Sequence, residues 1–120
     1  MMISLRTVLL LLIGLFTAAC AKENPYPQPF VAAQWRGPAY GVHPDLWERR
    51  YCMHESLIEK YLKPGMPRQR VLELLGAPYH DSPTLVTYTM SPGGTGADHI
   101  ELRIEFDDAG RLTKVSVLQT

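Results

Sequence analysis

The period of the apolar residues changes once along this chain, and that change limits the folds open to it. Between Asp45 and Leu75 apolar residues recur at every third or fourth position, while between Leu85 and Leu118 they recur at every second. The first spacing is the face of a helix and the second the face of a half-buried strand. In Met53–Leu62 the residues Leu57, Ile58, Tyr61 and Leu62 form a helical face, which Leu46, Trp47 and Tyr51 extend backward to Asp45. Lys63-Pro64-Gly65 ends that helix, since proline cannot continue the ladder and glycine suits a left-handed turn. A second helix is expected from Pro67 to Leu75, with Val71, Leu72, Leu74 and Leu75 buried and Gly76 and Pro78 as its stop.

Three strands follow. Leu85–Met90 places Val86, Tyr88 and Met90 on one face. In His99–Phe106, Ile100, Leu102, Ile104 and Phe106 alternate with His99, Glu101, Arg103 and Glu105, so one face meets a core and the other water. Asp107-Asp108-Ala109-Gly110 is a tight turn into Leu112–Leu118, whose inner residues are Val115 and Val117. The expected class is α+β: two short helices packed on a three-stranded antiparallel sheet, occupying residues 45–120. The glycine-rich connection Ser91–Asp98 is the long one.

What precedes this unit divides at Cys20. Met1–Thr7 carries one basic residue, Arg6, and Val8–Ala19 carries no charge. That is a signal peptide over residues 1–19; the apolar run is shorter than the roughly 20 residues a membrane span requires, and Lys22 and Glu23 close it. Residues 20–44 read as a tether. Pro25, Pro27, Pro29, Pro38 and Pro44 fix φ and remove donors, and a chain extended at about 3.1 Å per residue reaches some tens of ångströms. The tether also carries Tyr26, Phe30, Trp35 and Tyr40, which a spacer does not need; docking on the domain or on a partner would explain them.

Thr17-Ala18-Ala19-Cys20 resembles a lipobox, in which small residues precede a cysteine that is acylated and becomes the first residue of the mature chain. By that resemblance Cys20 is the lipidation site, and Ala21 in place of an aspartate directs the chain to the outer membrane of a Gram-negative envelope. Burial of an acyl chain contributes about 0.8 kcal/mol per methylene, so several chains on Cys20 make a stable anchor. Cys52 is then expected to pack as a small buried hydrophobe, with an intermolecular disulfide as the alternative.

The stretches Leu62-Lys63-Pro64-Gly65-Met66 and Val71-Leu72-Glu73-Leu74-Leu75-Gly76-Ala77-Pro78, with Tyr88 and the strand-turn-strand of Leu102–Val117, resemble the BamE/SmpA/OmlA family of small outer-membrane lipoproteins over residues 53–118. The family usually has Ser or Thr after Gly-Met and Glu or Gln three residues on; Pro67 and Arg70 replace that capping box here. The resemblance implies a non-enzymatic lipoprotein on the periplasmic face of the outer membrane, binding other envelope proteins and supporting outer-membrane assembly or integrity. It also implies an alternative: a periplasmic inhibitor of a β-lactamase or cell-wall hydrolase, since a β-lactamase inhibitor protein uses the same two-helix, three-strand architecture.

Chemistry-bearing residues form no recognisable constellation. Twelve basic and twelve acidic residues leave no basic excess for nucleic acid. His43, His54, His80 and His99 show no ligand spacing and are expected to be solvent-exposed; His80 and His99 fall at opposite ends of a hairpin. Asp107 and Asp108 are turn residues, and Gly93-Gly94-Thr95-Gly96 precedes a strand rather than the helix a phosphate cradle requires. No catalytic residue, metal, cofactor or small-molecule substrate is expected.

Overall fold

The protein is described here by a computed structural model covering residues 26–37, 44–91 and 100–119. In chain order its elements are α1 (Ala32–Arg36), α2 (Pro44–Lys60), α3 (Arg68–Leu75), β1 (His80–Asp81), β2 (Leu85–Met90), β3 (Ile100–Phe106) and β4 (Leu112–Gln119). The class is α+β, with an antiparallel sheet in the order β1-β2-β3-β4. Among the described residues, three helices and four strands therefore stand where two and three were expected. The additional helix lies inside the proline-rich stretch, and the additional strand is a two-residue ladder, His80↔Thr87 and Asp81↔Val86.

The register assembles the core. Val86, Ile104 and Val115 form one row across the sheet, and Tyr88, Leu102 and Val117 the next. Side chains directly opposite one another share a face, so these rows make the apolar layer onto which Met53, Leu57, Val71 and Leu75 pack. On α2 the buried stripe runs Leu46, Arg50, Met53, Leu57, one turn apart, rather than through Ile58 and Tyr61 as the sequence suggested. Ile58 is half-buried and Tyr61 exposed.

Pro67 is the residue before α3, with extended backbone, instead of its first helical residue, and no side chain caps the helix. The β3–β4 hairpin substitutes for the missing cap. The Arg68 amide donates to Gly110 O at 2.8 Å, and Gly65 and Leu112 bond across the same junction. One orphan donor of the helix start is thus satisfied by tertiary structure. Gly110 reaches this position with φ of 75°, in the turn where Asp107 Oδ1 accepts the amides of Ala109 and Arg111. At the other end of α3, Gly76 takes φ of 79° and closes the helix by donating to Leu72 O.

Candidate interaction surface

Residues 26–37 are not a free spacer. They form an arm laid along α2. Tyr26 stacks on Tyr51 at 5.4 Å and its hydroxyl donates to Glu55. Gln28 N donates to Cys52 O, and Phe30 N donates to Ser56 Oγ at 3.1 Å. Phe30 and Trp35 are buried in the common core, where Trp35 meets Tyr88 edge-on. Docking on the domain thus accounts for three of the four aromatics noted in the sequence; Tyr40 lies outside the described residues. Arg36 leaves the arm to donate to Glu73 O and Leu74 O, the last carbonyls of α3.

Arg50 joins arm, helix and sheet. Its Nε donates to Trp35 O at 2.9 Å, and Nη1 reaches Thr89 O at 3.4 Å. The guanidinium sits 5.4 Å from the Trp35 ring centre and 5.7 Å from that of Tyr88. Burial lowers its pKa, an effect that Tyr88 opposes. Among the described residues no carboxylate pairs with it, so the ring faces and carbonyl dipoles carry the charge. Burial likewise holds the Tyr88 phenol well above its ordinary pKa, and its hydroxyl donates to Gly76 O at 2.7 Å.

The two edges of the sheet are managed differently. The Thr87 carbonyl accepts from Tyr79 N, the Thr89 carbonyl from Arg50, and Ser91 N donates to Trp47 O, so the β2 side is closed by β1 and α2. On the β4 side, Gly65 and Met66 cover only the Leu112 position. Among the described residues nothing pairs with β4 beyond it. Val117 and Leu118 stand 44% and 42% exposed there.

Two of the open hollows in the surface lie beside α3. One, of about 380 Å³, is lined by Arg36, Tyr61, Met66, Arg70, Glu73 and Leu74. The other, of about 560 Å³, lies between Arg68, Asp81 and the Asp107–Gly110 turn. Two of its three carboxylates are engaged: Asp81 pairs with Arg68, and Asp107 bonds its own turn. The Ser82 hydroxyl at the second hollow donates to the Leu85 carbonyl rather than to a base.

His54 departs from the expected exposure. It is buried on α2, with Nδ1 against the Tyr51 carbonyl. His80 is exposed, and His43 and His99 lie outside the described residues. No group of three potential metal ligands occurs among the described residues. The lipidation residue inferred from sequence, Cys20, also lies outside them, as does the 92–99 segment. Cys52 is fully buried and disulfide-bonded, which corrects the expectation of a buried free thiol. Among the described residues no helix is long and apolar enough to cross a membrane. Compared with known proteins, the chain matches no family model, no curated protein and no solved structure.

Proposed function

We propose that the mature chain is a lipid-anchored, non-enzymatic binding protein of the cell envelope, acylated at Cys20 and held on the periplasmic face of the outer membrane, with the Cys52 sulfur reduced and buried in that acylated form. In this reading it acts as BamE-like lipoproteins do, binding other envelope proteins in support of outer-membrane assembly or integrity. The observation that carries it is the docked arm. Five residues, Ala21 to Pro25, separate Cys20 from Tyr26. At up to about 3.5 Å per residue, an anchor at Cys20 keeps the domain within about 20 Å of the bilayer. The anchor is then a short mount rather than a long leash, and the domain presents a fixed surface to neighbouring membrane proteins. Affinity capture of the full chain from detergent-solubilised envelopes, with Cys20→Ser as control, tests this. Envelope proteins retained by the wild type and lost with Cys20→Ser are expected; equal recovery with both sinks the reading.

A second reading is favoured by the disulfide at Cys52. The chain contains one other cysteine, Cys20, and a sulfur in a disulfide is not available for acylation. A chain closed in that way is an exported soluble protein, and the inhibitor role implied by the resemblance is its natural function. Inhibition assays against β-lactamases and cell-wall hydrolases distinguish the two, and deletion of residues 92–97 tests whether that loop plugs the cleft.

A further inference from the structure

We infer that β4 is a self-association edge: two copies of this chain pair antiparallel through Thr113–Gln119, centred on Ser116, and join their sheets into one. The inference rests on the sheet alone and is independent of how Cys20 is modified.

Phe106 N donates to Thr84 O, toward β2. Backbone groups alternate direction along a strand, so Ile104 and Leu102 also face β2, while Glu105, Arg103 and Glu101 face β4. Their partners on β4 are Lys114, Ser116 and Leu118. Val115 and Val117, paired with Ile104 and Leu102, therefore direct their N–H and C=O groups outward, to the open edge.

Gly65 N donates to Leu112 O and Leu112 N to Met66 O, so the edge at Leu112 is already taken. What remains runs from Thr113 to the end of β4 at Gln119, and its midpoint is Ser116. A second β4 laid antiparallel about that midpoint fills the window, and the Gly65–Pro67 segment of each copy stops the other strand from sliding further.

In this register Val115 lies opposite Val117 of the second copy and the reverse, an outward-facing pair against an outward-facing pair. About four backbone hydrogen bonds form there. The same contact covers the exposed Val117 side chains by extending the inner apolar layer across the junction. On the outer face Lys114 lies opposite Leu118 of the second copy, so the only charged residue of β4 never faces its own kind. Of the usual defences against pairing, the open part carries one lysine and, at its start, the bulge opposite Glu105 and Phe106, but no proline and no inward charge. A single strand pair is a small contact, so the dimer is a weak one in solution; tethering both copies to one surface raises their effective concentration.

The register makes a residue-specific test. Ser116 faces itself across the axis in a non-hydrogen-bonded pair, with Cα atoms about 4.5 Å apart, within the range a disulfide spans. Full chain in mild detergent is oxidised at rising concentration and resolved without reductant. Ser116→Cys is expected to give a covalent dimer at least about tenfold more efficiently than Lys114→Cys, whose opposite residue is Leu118. Val117→Pro removes an outward N–H without touching the β3–β4 ladder and should abolish the concentration-dependent rise in mass seen by sedimentation equilibrium. Equal crosslinking at the two positions, a chain monomeric up to about 1 mM, or an edge that takes strands of other proteins while failing to self-associate would each overturn the assignment. Should Val117→Pro unfold, as circular dichroism would show, the cysteine comparison decides alone.

Discussion

The Arg50 side chain donates through Nε to the Trp35 carbonyl 2.9 Å away while its guanidinium packs against the same residue's indole ring. One residue of α2 thereby holds the backbone and the ring of the arm at once, and its Nη1 also reaches the β2 carbonyl of Thr89. Arg50→Ala leaves two carbonyls unpaired in a buried place, each costing about 1–3 kcal/mol. Denaturant unfolding is expected to show a loss of about 3 kcal/mol, partly recovered by Arg50→Lys, which keeps charge but not the planar fork. A loss below about 1 kcal/mol contradicts the role given to Arg50.

Trp35 is wholly buried between Phe30, Tyr88 and Arg50. Trp35→Ala should cost about 3–5 kcal/mol, as large aromatic truncations in cores do. Protease sensitivity between residues 26 and 37 should rise with it. Were the arm a free tether, the substitution would change neither.

The contact of Tyr26 with Glu55 carries a pH dependence. The hydroxyl's hydrogen bond to Glu55, with burial and the negative charge of Glu55 adding to it, raises the Tyr26 pKa to about 12. Its ordinary value is about 10. A raised pKa means that the folded state favours the protonated phenol. The stabilisation is therefore complete below about pH 10 and lost as pH rises through about 12. Alkaline titration followed by arm proteolysis should show release in that window, and Tyr26→Phe should remove the transition. Release at the same pH in both proteins contradicts it.

Gly76 ends α3 at φ of 79°, and a Cβ there would meet Arg36 Cγ at 3.0 Å. Gly76→Ala thus forces a left-handed alanine against the residue that caps the α3 carbonyls. A loss of about 1–2 kcal/mol is expected by thermal or denaturant unfolding. An unchanged midpoint would show that Arg36 moves aside at no cost.

The sheet and its partner helices were legible because their apolar periods are long enough to average over exceptions. β2 runs over the residues the alternation marks, and β3 and β4 end within a residue of expectation. α1 was not legible. It has five residues, its preceding residue Val31 offers no cap, and Phe30 and Trp35 are too few to form a period. Such a helix is held by tertiary contact alone. β1 was hidden for a similar reason, being two exposed residues held by the Tyr79 and Ser82 turns. The aromatics of the proline-rich stretch were the one visible sign that it docks. The open edge could not be read at all, because Val117 looks like any inward strand residue until strand order shows that, among the described residues, β4 has no neighbour beyond it.

The central claim is tested most directly by the intact mass of the mature chain, purified from membranes without reductant. The account predicts a chain beginning at Cys20 and heavier than its peptide mass by a diacylglyceryl group and one further acyl chain, with Cys20→Ser accumulating at the mass of the unprocessed precursor. An unacylated mature chain about two daltons lighter than its reduced form, matching a Cys20–Cys52 disulfide by peptide mapping, would contradict it and leave the soluble reading in its place.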